Sequence, residues 1–196
     1  HRLVDTKRLE AFSDGVIAII ITIMVLELRP PHEATLAALT PLLPVILSYV
    51  LSFIYLGIYW NNHHHMLQAT KHVNGTILWA NLHLLFWLSL VPFGTAWLGE
   101  AHLAPATTAL YGGILLMAAI AYTILQQAIV RLHGRDSVLA KAIGDDGKGK
   151  VSVGYYVAAI ALSFVSVWAA IALYVVVALI WLVPDRRIER VIGTTD

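Results

Sequence analysis

An acid, a hydroxyl and a run of histidines stand at the edges of apolar segments in this 196-residue chain. Ser13 and Asp14 open the first apolar segment, and the run 60–65, Trp-Asn-Asn-His-His-His, closes the second. Carboxylates and imidazoles in such places relay protons, form ion pairs or bind metals. Three adjacent histidines on a helix cannot all point to one ion, because useful spacings are three or four residues. We therefore expect no metal site and no enzyme, with a histidine-box metalloenzyme as a rival interpretation.

The composition defines the surroundings of these residues. Hydrophobic residues make up 59% of the chain and charged residues only 13%, and there is no cysteine. Soluble domains carry roughly a quarter charged residues. This scarcity of charge excludes a soluble enzyme, a nucleic-acid binder and a disordered chain, and the lack of cysteine excludes disulfides and thiolate metal centres. An integral membrane protein surrounded by the lipid bilayer remains.

The apolar segments predict an all-α membrane fold with one domain over residues 1–196. A bilayer crossing takes about 20 apolar residues. The last apolar block, 151–183, is too long for one straight crossing and short for two, and we expect two short helices with a tight turn near Ser163–Ser166. The six predicted spans are about 11–28, 36–60, 76–98, 104–130, 151–164 and 166–183.

Basic residues orient these spans, because short cytoplasmic loops collect lysine and arginine. With six spans and a cytoplasmic N-terminus, twelve of the thirteen Lys and Arg residues lie inside, and only Arg29 lies outside. With five spans the basic C-terminal tail would lie outside. The pattern favours six spans with both termini cytoplasmic. The inside residues are Arg2, Lys7, Arg8, Lys71, Arg131, Arg135, Lys141, Lys148, Lys150, Arg186, Arg187 and Arg190.

The first span has an apolar stripe and, nearly opposite to it, a polar pair. On a helix of about 100° per residue, Ser13 and Asp14 lie about 120–140° from Ile19. The acid therefore faces neighbouring helices if the stripe faces a pore, and the protein interior if the stripe faces lipid. Periodicity leaves both open, and a plain helix cap by the polar pair is a further alternative. The stripe consists of Phe12, Ile19, Ile23 and Leu26, with Thr22 beside it.

Two motifs resemble the signature of the transmembrane protein 175 family, the endolysosomal potassium channels and their bacterial relatives. They are Arg8-x-x-x-Phe12-Ser13-Asp14 in the first span and Tyr59-Trp60-x-x-His63-His64 in the second. Animal members carry two six-helix repeats and form dimers, whereas a single repeat resembles the bacterial form, a homotetramer around a central pore lined by the first helix. The family lacks the Thr-Val-Gly-Tyr-Gly filter, as does this sequence.

The resemblance implies a potassium-permeable, weakly K⁺-selective channel in a bacterial plasma membrane, with monovalent cations as permeant partners and no cofactor. Its constriction would consist of Ile19, with Ile23 and Leu26 as further rings and Thr22 flanking the narrow zone. Its inter-helix network would consist of Arg8, Phe12, Ser13, Asp14, Gly15, Trp60, His63 and His64. The main alternative is a proton-coupled secondary transporter using Asp14 and the histidines His63–His65, although the sequence has no paired half-repeats with broken helices.

Overall fold

The computed structural model describes residues 5–144 and 146–183 of the chain. Two 3₁₀ segments, Met24–Glu27 and Leu36–Leu42, follow the first helix and precede the second. The helices are α1 (Thr6–Ile23), α2 (Leu43–Gln68), α3 (Gly75–Ser89), α4 (Val91–Glu100), α5 (Pro105–His133), α6 (Val138–Ile143), α7 (Gly147–Leu162) and α8 (Val167–Leu182). Arg2 and the C-terminal Arg186, Arg187 and Arg190, which the orientation prediction uses, lie outside the described residues.

Four helical stretches among the described residues are long and apolar enough to cross a membrane: Thr6–Glu27, Leu36–Gln68, Gly75–Glu100 and Pro105–His133. The helices α7 and α8 have 16 residues each. At 1.5 Å per residue each is about 24 Å long, which is shorter than a hydrocarbon core of about 30 Å. The regular secondary structure of the described residues is thus helical, with four stretches of full crossing length followed by the shorter helices α6, α7 and α8.

Local sequence explains where several helices begin and break. The Asp5 carboxylate accepts a hydrogen bond from the backbone N–H of Lys7 at 3.0 Å and caps α1. The third predicted span forms two helices, α3 and α4, that meet at Leu90. Pro92 stands at the start of α4 and has no backbone N–H to continue the ladder, so the helix breaks just before it.

The long helix α5 lies at the centre of the bundle and packs against α3, α4, α7 and α8. On one side it shares a core with α1, α2 and α3, in which Ile17 and Leu84 are buried. On the other side it shares a core with α2, α7 and α8, in which Tyr174 is buried. Gly112 lets the Tyr174 ring approach α5, because a side chain there would overlap the tyrosine hydroxyl. That hydroxyl donates to the carbonyl oxygen of Thr108 at 2.8 Å, so a polar contact fixes α8 against α5.

Candidate functional site

One face of α1 and of its 3₁₀ extension is left uncovered by the rest of the described chain. Ile19 is 62% exposed, Ile23 44% and Leu26 72%, and Phe12 on the same face is 53% exposed. The opposite face is buried and consists of Leu9, Ser13, Ile17, Ile20 and Met24. The apolar stripe therefore points out of the subunit, which allows contact with lipid, with a pore or with another subunit.

The 3₁₀ segment keeps the stripe straight at its far end. Side chains three residues apart eclipse each other in a 3₁₀ helix, so Leu26 stays in line with Ile23 although the α-helix has ended. Thr22 is exposed beside the stripe, and its hydroxyl donates within the helix, to the carbonyl oxygens of Ala18 at 2.9 Å and Ile19 at 3.0 Å. Because that proton is used inside the helix, only the oxygen lone pairs of Thr22 can serve an external group.

A hydrogen-bonded chain on the buried face ties α1 to α3 and α2. The Asn81 side-chain N–H donates to the Ser13 hydroxyl at 2.9 Å, and that hydroxyl donates to the carbonyl oxygen of Leu9 at 2.8 Å. The Asn81 side-chain oxygen lies 2.7 Å from Nε2 of His63. An amide oxygen only accepts, so Nε2 carries the proton. Ser13, His63 and Asn81 are all fully buried, and the three helices are held together by polar contacts.

A second set of polar contacts joins α1 and α2 beside these residues. Nδ1 of His64 lies 2.9 Å from a carboxylate oxygen of Glu10, and the Trp60 ring stacks on the His64 ring with centroids 6.1 Å apart. Asp14 is half-buried, and one of its carboxylate oxygens has no hydrogen-bond partner among the described residues. Ligand atoms of Glu10, Asp14 and His64 lie within 4.8 Å of one another. The three could hold a cation, and the absence of a metal stays a prediction.

The structure places the expected network residues in two groups. Ser13, Asp14, His63 and His64 lie at the contact of α1 with α2 and α3, and Trp60 is exposed on α2 and stacks on the His64 ring. Arg8, Phe12 and Gly15 lie on the exposed side of α1.

The helix α2 continues through Gln68, so the histidine run lies inside the helix. Within that run, His63 is fully buried.

Two residues of the network, Asn81 and Glu10, were not predicted from the sequence. Asn81 links both neighbours of α1, and it could have been found as an amide inside the apolar third span, where a polar side chain indicates a helix–helix contact. Glu10 stands four residues before Asp14 and therefore on the same helix face. In both cases the overlooked signal was a single polar residue within or directly before a predicted helix.

Comparison with known proteins assigns this arrangement to a family. Residues 8–92 match the family model described as endosomal/lysosomal potassium channel TMEM175. The chain is 58% identical over 183 residues to a potassium channel of Chryseobacterium sp. (strain P1-3), which covers 93% of this chain and 95% of that protein. The chain belongs to the TMEM175 family. The matched stretch includes all but the first two residues of α1, the histidine run and Asn81, so the network lies within the part that the family model describes.

Two further comparisons extend this TMEM175 assignment beyond the first helices. A potassium channel of Chamaesiphon minutus is 32% identical over 187 residues, covering 89% of this chain and 92% of that protein. The crystal structure of a lysosomal potassium-selective channel TMEM175 homolog from the same organism matches with a TM-score of 0.79 at 32% identity. It covers 92% of this chain and 97% of that one. The likeness therefore extends over nearly the whole TMEM175-type bundle.

Proposed function

We propose that this TMEM175 family member is a passive, potassium-permeable channel whose ion path is lined by α1. One observation carries the proposal: the apolar stripe Ile19, Ile23 and Leu26 is uncovered in the subunit, while the opposite face of the same helix is buried. The relatives named as potassium channels support the ion that we assign.

The pore would form at the centre of a homotetramer. Four copies of α1 around an axis would bring four Ile19 side chains into one ring, with Ile23 and Leu26 forming further rings. Such a neck closes the pore by excluding water. It selects between ions by the hydration free energy that each ion loses when it is partly dehydrated. Potassium is less strongly hydrated than sodium, so the constriction favours K⁺ weakly. Thr22 flanks the narrow zone and offers its hydroxyl oxygen to a passing ion.

The topology proposed for each subunit has six crossings in the plasma membrane, with both termini cytoplasmic. The short helices α7 and α8 supply the last two crossings, and the chain reverses between them at Ser163–Ser166. At the end of this turn the Ser166 hydroxyl accepts a hydrogen bond from the backbone N–H of Ala169 at 3.4 Å and caps α8. With this topology, twelve of the thirteen Lys and Arg residues of the sequence lie on the cytoplasmic side, and this distribution supports the orientation. The permeant ion is K⁺, and the activity requires neither a cofactor nor enzymatic chemistry.

A proton-coupled secondary transporter is the second candidate, and one observation favours it. Buried side-chain atoms of Asp14, His63 and His65 have no hydrogen-bond partner within the described part of the chain. Unpaired carboxylate and imidazole atoms inside a membrane are typical of proton relays. The exposed, charge-free stripe of α1 has no role in such a relay, which is why we favour the channel.

Recording from the purified protein in planar bilayers separates the two candidates. With K⁺ on one side and Na⁺ on the other, a channel gives ohmic single-channel currents and a reversal potential displaced modestly toward K⁺. A transporter gives saturable flux that depends on a proton gradient. Ohmic current that is independent of such a gradient supports the channel, and its absence in folded, reconstituted protein would refute it.

A further inference from the structure

Two carboxylates and one imidazole meet where the first turns of α1 pack against α2. Glu10 and Asp14 stand four residues apart and therefore on one face of α1, and His64 approaches them from α2. One ligand atom from each of the three side chains lies within 4.8 Å of the other two. Metal–ligand bonds of about 2.0–2.2 Å place the ligands of one ion roughly 3–4 Å apart. Small side-chain movements would therefore bring all three groups onto one ion.

The negative charge of these side chains is not balanced by a lysine or an arginine. Within the described part of the chain, Glu10 pairs only with Nδ1 of His64, at 2.9 Å. One carboxylate oxygen of Asp14 is buried and has no hydrogen-bond partner there. Two acids one turn apart on a helix repel each other, and a buried polar atom without a partner costs free energy. A cation between the two carboxylates would remove both penalties.

The donor atoms indicate which class of cation fits. Calcium and magnesium take oxygen ligands, whereas an imidazole nitrogen beside carboxylates suits Zn²⁺ and other divalent transition metals. Because a carboxylate only accepts, Nδ1 of His64 donates to Glu10 in the structure, and a metal ion would take the place of that proton. The side chains of Glu10 and His64 are 24% and 32% exposed, so an ion can reach them from solvent.

We propose that Glu10, Asp14 and His64 bind one divalent transition-metal ion of the Zn²⁺ class in each subunit. Water would complete the coordination, and the ion would link α1 to α2. The sequence led us to expect no metal site, because three adjacent histidines cannot serve one ion. That expectation did not consider Glu10, which supplies a second carboxylate from α1. The site lies on the side of α1 away from the apolar stripe, and the proposal does not depend on the proposed pore.

Isothermal titration with Zn²⁺ tests the proposal on the purified full chain in detergent micelles, after removal of any affinity tag and treatment with a chelator. We expect saturable binding of one ion per subunit. The melting temperature should rise with Zn²⁺, because an ion that binds only the folded state stabilises it. Calcium at the same concentration should give neither effect. The absence of saturable Zn²⁺ binding to the folded wild-type chain, or equal binding of Ca²⁺, would overturn the assignment.

Two variants locate the bound ion. Glu10→Gln removes a charge and keeps the size of the side chain, and His64→Phe removes the nitrogen and keeps a ring against Trp60. We expect each to weaken Zn²⁺ binding at least about tenfold, because even the loss of a group that only orients a ligand weakens metal binding by about 10–100-fold. The matched controls Glu33→Gln and His32→Phe change exposed residues between α1 and α2 and should keep the wild-type affinity.

Thermal unfolding in the presence of chelator verifies that each variant is folded. If His64→Phe does not fold, Glu10→Gln decides alone. Wild-type affinity in a folded variant of the site, or equal weakening in the two controls, would exclude this site.

Discussion

The Asn81 side chain of α3 donates a hydrogen bond to the Ser13 hydroxyl of α1 over 2.9 Å. Both side chains are fully buried, and Ser13 stands on the helix face opposite to the exposed stripe. The same amide also bonds to His63 of α2. One side chain thus fixes the rotation of α1 about its own axis, and this rotation decides which residues point outward.

The first prediction concerns Asn81. Its replacement in Asn81→Ala leaves the Ser13 hydroxyl and Nε2 of His63 without their buried partner, and each unsatisfied group costs about 1–3 kcal/mol. We expect a clearly lower melting temperature of the detergent-solubilised assembly, followed by circular dichroism. Asn61→Ala is the matched control, because Asn61 is exposed. If both variants melt together, Asn81 does not hold α1 in place.

The second prediction concerns the constriction. Ile19→Asn places an amide in the proposed neck, which should wet or widen it and reduce the discrimination between K⁺ and Na⁺. The reversal potential under bi-ionic conditions should therefore move toward zero. Ile19→Leu retains an apolar side chain of similar volume and should keep the wild-type reversal potential. An unchanged reversal potential in Ile19→Asn would show that this ring is not the filter.

The third prediction separates assembly from conduction. Asp14 lies beside Glu10 and His64 at the contact of α1 with α2 and not on the exposed stripe. We expect Asp14→Asn to reduce the yield of assembled protein or the open probability while unit conductance stays unchanged, as measured by size-exclusion chromatography and single-channel recording. Asp5→Asn, which keeps an N-capping side chain at the start of α1, should affect neither. Altered unit conductance in intact assemblies would contradict the placement of Asp14 away from the pore.

The fourth prediction concerns the connection between α2 and α3. Nε2 of His133 accepts hydrogen bonds from the backbone N–H groups of Lys71 and His72, both at 3.1 Å. Nδ1 therefore carries the proton and donates to the carbonyl oxygen of Ile129 at 2.9 Å. His133→Phe removes the acceptor and keeps an aromatic ring against His72.

We expect faster hydrogen–deuterium exchange in this connection, because its two amides lose their partner. His72→Phe is the control, since it keeps both backbone donors and the His133 acceptor. Equal exchange rates in the wild type and in His133→Phe would show that the ring does not order the connection.

The sequence was informative about the fold because the apolar segments are long and their breaks have a chemical cause, as at Pro92. It was less informative about helix ends: α2 runs past the histidines, and no residue between Trp60 and Gln68 stops a helix. Periodicity predicts that the apolar stripe and the polar pair lie on opposite faces of α1. It does not predict whether the stripe faces a pore or lipid, because both arrangements keep Asp14 out of lipid. Asn81 holds the Ser13 face against α2 and α3, through contacts between helices distant in sequence that no local pattern contains.

Cysteine accessibility on α1 tests the central claim, that the stripe lines the ion path, most directly. The chain has no cysteine, so single substitutions can be labelled without background. With a cationic, water-soluble thiol reagent added during bilayer recording, we predict that K⁺ current falls in Ile23→Cys and Leu26→Cys. The control Ile20→Cys lies on the buried face, and its current should persist. Unchanged current in both stripe variants, or block in the Ile20 variant alone, would contradict a pore lined by this face of α1.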